Sequence, residues 1–272
     1  MQRPGQSVAP FEHSAGKYAH YLETPEGRMR LDLAFAWLME SLPATVDSLY
    51  ALDIGCGTGA TAVQLAQLGA YVTLLDASLP MLDLAERAAR QAGVTERVVL
   101  KHGDAAQLTS LFDAAAFDVI ICHNVLEYIE DPEPLLSSAV RMLRDNASLI
   151  SVLVRNRAGE VLKAAIKDSD LAAAENSLTA EWGHESLYGG KVRLFTPSGL
   201  QAMLERASFS VSSMHGVRGI SDYLPQSISR SEQYERIFQL ERKLGSKPEF
   251  AAVARYTQCI AHRAASVMRG AR

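Results

Sequence analysis

The chain has 272 residues, 48% of them hydrophobic and 21% charged, enough apolar material for a large core in one α/β domain or in a domain carrying a substantial insertion. Its formal net charge of -4 excludes an overall basic field, so any contact with nucleic acid has to come from a local patch. Cys56, Cys122 and Cys259 are too far apart in sequence for metal-ligand spacing and do not suggest a disulfide framework, and neither a signal-peptide core nor a run of about 18 apolar residues is present. These features predict a cytoplasmic protein with no membrane span and no metal.

Residues 1–27, rich in Gly, Pro and polar side chains, predict a flexible start. In "RMRLDLAFAWLMESLP", Met29, Leu31, Leu33, Trp37, Leu38 and Leu42 recur at broadly helical spacing and predict a packed helix. From Leu49 onward, short apolar runs alternate with longer amphipathic stretches, the pattern of parallel strands joined by crossover helices. Strands are predicted at 49–54, 71–76, 97–101, 117–122 and 147–154, and helices at 59–69, 79–93 and 132–144. Residues 155–195 are mostly polar, charged and helix-forming, and predict an inserted helical lid. Thr196 opens a capped helix in "TPSGLQAMLERASF". Strand candidates "FSVSSMHGVRGI" and "RYTQCIAHR" then flank a charged helical segment at 229–244.

The first strand runs into "DIGCGTG", where Gly55, Gly57 and Gly59 alternate. Such a turn can take positive φ and let the backbone approach a ligand where a Cβ would intrude. A Walker A loop needs a Lys-Ser or Lys-Thr pair, which is missing, and a dinucleotide fingerprint has a different final glycine interval. Asp53, just before the turn, disfavours pyrophosphate and can instead accept from an ammonium group, directly or through water. Asp76, at the end of the next strand, can take both hydroxyls of a ribose. The two carboxylates together suit a nucleoside carrying an amino acid, S-adenosylmethionine. A turn used only for packing, or a nicotinamide enzyme, are the alternatives.

"LDIGCGTG" followed by "LLDAS" resembles the motifs of class I methyltransferases. The resemblance implies a Rossmann-like α/β fold, a seven-stranded mostly parallel sheet flanked by helices, with the insertion after strand 5. It divides the chain into an N-terminal segment and helix over the cofactor site (1–45), a cofactor-binding core (46–154), a substrate lid (155–195) and a C-terminal part of the same domain (196–272). It implies cofactor contacts from Asp53, Gly55, Cys56, Gly57 and Gly59, from Asp76 and Ala77, and from Asp104 and Ala105 in "KHGDAAQL". His123 follows the fourth strand and reaches the same sheet edge, because ligands bind beyond the carboxyl ends of parallel strands. A solvated loop aspartate at 104 and a histidine satisfied by backbone at 123 are the plainer readings.

A narrower resemblance lies in "YLETPEGRMR", "HNVLEYIEDP", "RNRAG", "HGVRGISDYL" and "ARYTQCIAHR", which are similar to the bacterial tRNA 5-carboxymethoxyuridine methyltransferases from about residue 11 to 263. It implies methyl transfer to the carboxylate of a modified wobble uridine. It also implies that Arg30 meets the cofactor carboxylate, that Arg218 and Tyr223 orient the substrate, and that Arg155 and Asn156 contact it. The lysine run found in that family's insertion is missing, which leaves Arg155, Arg157, Lys163, Lys167, Lys191 and Arg193 as the basic groups for RNA. The alternative is a small-molecule acceptor, a carboxylic acid or a phenol; a phenol or amine would make His123, His184 or Tyr223 the candidate base. A binding module without turnover is the third reading.

Overall fold

A computed structural model describes residues 9–185 and 189–264, with side chains from residue 14 onward. Five strands, β1 (Tyr50–Ile54), β2 (Tyr71–Asp76), β3 (Val98–His102), β4 (Val119–His123) and β5 (Leu149–Arg155), are all mutually parallel. A two-stranded ribbon, β6 (Trp182–Glu185) with β7 (Gly190–Arg193), stands apart from them. The main sheet is completed by β8 (Phe209–Val217) and β9 (Tyr256–Arg263), in the order β3-β2-β1-β4-β5-β9-β8. β9 runs antiparallel to both its neighbours. The seven-stranded, mostly parallel sheet expected from the sequence is therefore the one observed.

Helices cover both faces, which is why the inner strands are apolar almost throughout and all seven residues of β5 are buried. One layer consists of α2 (Pro25–Ser41), α3 (Ala60–Gln67) and α4 (Leu79–Gln91), whose Leu38, Leu65, Ala66 and Ala85 pack with Val72, Leu74 and Ile121. The other consists of α5 (Leu108–Leu111), α6 (Glu133–Met142) and α9 (Pro197–Arg206), packed through Leu136, Leu200 and Leu204 on Ile120, Val152 and Cys259. Thr196 caps α9 as expected, its hydroxyl accepting from Gly199 N at 3.1 Å. α10 (Tyr234–Gly245) packs through Ile237 with Trp37 of α2 and Val217 of β8, and a single turn, α11 (Pro248–Ala251), leads into β9.

Two expectations need correcting. The start is helical from residue 9: α1 (Ala9–Glu23) buries Ser14 and Ala15, so the flexible region predicted for residues 1–27 does not extend through it; residues 1–8 lie outside the described residues. The insertion is not helical throughout. α7 (Arg157–Leu162) runs into a π-turn at Lys163–Lys167 and then α8 (Leu171–Ser177), after which the chain forms the β6–β7 hairpin. Residues 186–188 at its tip lie outside the described residues.

Candidate active site

The order of the strands reverses between β1 and β4, so the loops that follow them diverge and open a crevice at the carboxyl edge of the sheet. A cavity of about 310 Å³ lies there, roofed by Tyr18 and Tyr21 of α1, and a smaller one of about 30 Å³ adjoins it beneath the glycine turn.

The half of the cavity at β1, β2 and β3 carries the glycine turn and the strand-end carboxylates. Gly55 and Gly57 have φ of +65° and +55° and both face the cavity. A Cβ on Gly55 would stand 2.6 Å from Val125 Cγ2, and one on Gly57 would stand 3.3 Å from the Tyr18 ring, so only bare backbone fits between the turn and the groups above it. Asp76 accepts from Gly57 N and Ser78 N, both at 2.8 Å, and faces the cavity with its remaining acceptor capacity. Burial raises its carboxyl above the ordinary range, against the lowering effect of those N–H groups. Ala77, Asp104 and Ala105 complete this wall. Asp104 also caps the turn at 105–107, accepting from Ala106 N at 2.9 Å, so the local cap and the cavity wall are one residue.

Asp53 and Cys56 border the smaller cavity, together with Arg30 and His123. Burial, with the Asp76 carboxylate adding to it, pushes Asp53 up to about 8. The side chain is 4% exposed, and a cationic ligand group is what would return it to its charged form. Arg30 faces both cavities, donates to the Tyr18 hydroxyl at 2.9 Å and lies near the rings of Tyr18, Tyr21 and Tyr256. His123 pairs with Ser151 Oγ at 2.8 Å, not with backbone, and Gln258 in turn donates to that hydroxyl at 2.9 Å. Burial, with Arg30 nearby, lowers His123 to about 3, so its imidazole is neutral. Gly59 is not part of the wall: at φ +74° it starts α3, and a Cβ there would strike Leu74 and Ala85, so it belongs to packing.

The half at β5, β9 and β8 is built differently. Tyr256 is in register with Arg155 on one side and Val217 on the other, which brings Arg155, Arg218 and Tyr256 to one edge. The guanidiniums of Arg30, Arg155 and Arg218 lie 5.6, 5.8 and 5.8 Å from the Tyr256 ring centre. Burial alone would raise the Tyr256 phenol, but Arg155, Arg30, Arg218 and Arg255 outweigh it and hold it below its ordinary value. The cations are linked through carboxylates: Arg155 pairs with Glu185 of the hairpin and at 3.1 Å with Glu160 of α7. Arg255 reaches Glu160 and Asp222, each at 3.1 Å, and Arg218 bonds Asp222 and, at 2.8 Å, the Tyr21 hydroxyl. Arg218 itself has φ +62°. Its loop is held by the buried Glu241 of α10, which accepts from Gly219, Ile220 and Ser221 N at 2.6–3.0 Å.

Two expected substrate contacts do not reach the cavity. Asn156 is fully buried: it caps α7 by accepting from Ala158 N at 3.2 Å and donates to the carbonyls of Ala252 and Ala254 at 2.9 Å, so its carboxamide is occupied by backbone. Tyr223 lies outside the lining residues, its hydroxyl 3.4 Å from the Gly159 carbonyl, and burial pushes it up to about 12. Of the expected basic groups, Arg155, Lys163 and Lys167 line the cavity, whereas Lys191 and Arg193 lie over the Trp182 ring at 4.2 and 4.7 Å. Sequence reasoning missed Tyr18, Tyr21, Glu127, Tyr128, Glu185, Asp222, Arg255 and Tyr256, all of which line the cavity. For α1 a signal exists: Ser14, Tyr18 and Tyr21 recur at i, i+4 and i+7. Arg255 and Tyr256 carry no local signal.

The donor set fits S-adenosylmethionine: a carboxylate for the ribose at the end of β2, Asp104 at the end of β3, bare backbone between them, and Arg30 with Asp53 for the amino-acid end. Among the described residues, no group of three or more His, Cys, Asp or Glu could hold a metal ion, and no helix is long and apolar enough to cross a membrane.

Residues 52–151 match the model of a methyltransferase domain. The chain is 26% identical over 262 residues to the tRNA 5-carboxymethoxyuridine methyltransferase of Escherichia coli K12, covering 93% of this chain and 95% of that one. It is 30% identical to the ubiquinone biosynthesis O-methyltransferase of Maricaulis maris over 63% of each chain. Among solved structures, an S-adenosylmethionine-dependent methyltransferase of Thermotoga maritima, a possible histamine N-methyltransferase, superposes with a TM-score of 0.62 over 93% of this chain and 98% of that one, at 15% identity, and so shares the fold. With this sheet order and a glycine turn and strand-end carboxylates at its switch point, the chain is an S-adenosylmethionine-dependent methyltransferase with the class I fold.

Proposed function

We propose that the enzyme methylates a carboxylate, that of 5-carboxymethoxyuridine in tRNA, to its methyl ester. The observation that carries this reading is the charge of the cavity. Arg30, Arg155, Lys163, Lys167, Arg218 and Arg255 line it with five carboxylates, of which Asp76 and Asp104 lie on the cofactor side, so that on the acceptor side cations outnumber Glu127, Glu185 and Asp222, in a chain whose net charge is -4. A wall of this kind selects an anion. A carboxylate is already ionised near neutral pH, so its transfer needs alignment and exclusion of water more than a base. His123, neutral and tied to Ser151, is not placed for proton abstraction, and Tyr223 is away from the cavity. The similarity to the Escherichia coli tRNA enzyme over nearly the whole of both chains supports the same acceptor.

In this reading Asp76 takes the ribose hydroxyls, Asp104 and Ala105 face the adenine, and Arg30 and Asp53 hold the carboxylate and ammonium of the methionine end. The bound cofactor supplies an electrophilic methyl on a sulfonium. Arg218 orients the acceptor carboxylate, with Arg155 and Arg255 supporting it through Glu160 and Asp222. Segment 1–45, through α1 and α2, covers the cofactor, and the insertion 155–195 covers the acceptor. A cytoplasmic location goes with this reading. Incubating the enzyme and methyl-labelled cofactor with tRNA bearing the free carboxymethoxy group should give base-labile label in the modified uridine. No label at any salt concentration would end the proposal.

One observation favours a phenolic small molecule instead. Glu127 lines the cavity, and burial pushes it up to about 7, against the lowering effect of Arg155, the Asn124 hydrogen bond and Arg30. Such a carboxylate can take a proton from a hydroxyl. Label recovered from a cell extract in small phenols and absent from RNA would select this second reading.

A further inference from the structure

Three buried guanidiniums on the acceptor side, those of Arg155, Arg218 and Arg255, meet four carboxylates: Glu127, Glu185 and Asp222 in the wall of the cavity and Glu160 behind it. Three of the four carboxylates take the close contacts. Glu160 lies 3.1 Å from both Arg155 and Arg255, Asp222 pairs with Arg218 and at 3.1 Å with Arg255, and Glu185 pairs with Arg155. Lys163 and Lys167, from the π-turn, add their charge near Glu160 and Asp222. Glu127 is left with Arg155 Nε at 3.9 Å, beyond a hydrogen bond. It is fully buried in the turn Leu126–Tyr128 that follows β4. One of its oxygens accepts from Asn124 Nδ2 at 3.0 Å, and the other, also buried, has no hydrogen-bond partner among the described residues.

A buried carboxyl without a close cation of its own keeps its proton. Burial pushes Glu127 up to about 7, against Arg155, the Asn124 hydrogen bond and Arg30. The titratable neighbours that face it, Cys122 of β4 and Tyr128 of the same turn, are themselves pushed up by burial and stay neutral. We propose that Glu127 is a specificity residue for an anionic acceptor, and that as a neutral acid it donates a hydrogen bond from its unpartnered oxygen to one oxygen of the acceptor carboxylate. The inference rests on reading the acceptor as a carboxylate. An ionised Glu127 would repel that anion at low dielectric, whereas the acid offers it a donor. A carboxylic acid kept neutral near pH 7 by an apolar site can serve in this way. With one acceptor oxygen held, the other attacks the methyl carbon: the O–C bond forms, the S–C bond breaks with its electron pair passing to sulfur, and Glu127 keeps its proton. As base in a phenol transfer the same residue would have to start ionised, so the two acceptor classes demand opposite charge states of one side chain.

The test measures initial rates of S-adenosylhomocysteine formation by the full chain from about pH 6 to 9, with an anticodon stem–loop RNA bearing the free carboxymethoxy group as acceptor. Saturating cofactor removes the titration of Asp53 from the profile. Wild-type kcat/KM should be level below about 7 and fall by up to about tenfold per pH unit above it, as Glu127 ionises. Glu127→Gln keeps the shape, the oxygen that accepts from Asn124 and a donor, but cannot ionise. It should stay within about threefold of wild type near pH 6 and exceed it at least about tenfold by pH 9. Tyr256, held below its ordinary value by the guanidiniums around it, is common to both proteins, so the difference between the profiles belongs to Glu127. A Glu127→Gln protein that is folded in a thermal melt, yet at least about a hundredfold slower at every pH or parallel to wild type throughout, overturns the inference. Methylation of the RNA by the wild type would still leave the acceptor reading standing. If Glu127→Gln does not fold, Asn124→Gly, which the φ of +55° accommodates, removes the hydrogen bond that lowers Glu127. It should move the alkaline fall to higher pH, and an unmoved fall overturns the inference. A wild type that methylates only phenols ends the acceptor reading and the inference with it.

Discussion

Asp76→Ala separates the cofactor from the acceptor most cleanly. The carboxylate sits at the end of β2, where Gly57 N and Ser78 N each donate to one of its oxygens at 2.8 Å and the remaining lone pairs face the cavity. A ribose diol donating to both oxygens makes two hydrogen bonds to a charged acceptor, of about 1.5–3 kcal/mol each. Allowing for water that enters in place of the lost side chain, we expect a net loss of about 3 kcal/mol, or about a hundredfold in Kd. S-adenosylmethionine and S-adenosylhomocysteine share the ribose and should weaken alike. Two backbone N–H groups lose their acceptor as well, so the melting temperature should also fall, and Asp76→Asn, which keeps an accepting oxygen, should lie between the two. Isothermal titration calorimetry on folded protein gives the Kd values directly. Affinity within twofold of wild type for both ligands would refute the ribose assignment.

Asp53 makes stability and cofactor binding depend on pH in opposite directions. Its folded carboxyl titrates at about 8, far above the value near 4 of an unfolded chain. The folded state therefore binds the extra proton between those values, and stability should fall as pH rises from about 5 to 8; Asp53→Asn should flatten that slope in thermal melts. Binding an ammonium group favours the charged carboxylate, so cofactor uptake near pH 7 should release a proton, seen as a buffer-dependent calorimetric enthalpy that Asp53→Asn abolishes. Gly55→Ala places a β-branched neighbour, Val125, 2.6 Å from the new Cβ at a φ of +65°. It should cost about 1–2 kcal/mol from the backbone conformation alone, read by denaturant melts, and should weaken the cofactor as well. Arg218→Ala should lower kcat/KM for the acceptor at least about a hundredfold with cofactor Kd little changed. Because Asp222 loses one of its two buried partners but keeps Arg255 at 3.1 Å, the fold should be destabilised by less than the about 3–5 kcal/mol of a fully broken buried pair. Equal losses in cofactor Kd and acceptor turnover would move Arg218 out of the acceptor side.

The features legible in the sequence were those written in contiguous residues. Strand and helix periods located β1 to β5 and the helices α3, α4 and α6 to within a few positions, because burial on one stripe or both faces imposes the period locally, whereas the single turn of α5 between β3 and β4 was not predicted. The Thr196 cap and the positive-φ turn at Gly55 and Gly57 are short-range steric and hydrogen-bonding requirements. Together with Asp53 and Asp76 they pointed to the methyl donor from two strand ends alone. α1 was misread because Pro10 and Gly16 suggest a loop, although Ser14, Tyr18 and Tyr21 keep a helical stripe. The hairpin was misread because the surrounding helix-forming composition outweighed the Gly189–Gly190 turn between two short alternating segments.

What only the tertiary structure decided was the half of the cavity at β5, β9 and β8. Tyr21, Arg30, Arg155, Arg218 and Tyr256 are separated by up to more than 200 positions; the antiparallel insertion of β9 between β5 and β8 brings Arg155, Arg218 and Tyr256 to one edge, and α1 and α2 bring Tyr21 and Arg30 to it. Side-chain direction was equally out of reach: Asn156 and Arg155 are adjacent, yet the first turns inward to the Ala252 and Ala254 carbonyls and the second faces the cavity. The donor's identity follows from a local backbone shape and two carboxylates, which sequence encodes directly. The charge pattern of the other half of the cavity is assembled from distant segments, and such a pattern exists only once the sheet has closed its strand order.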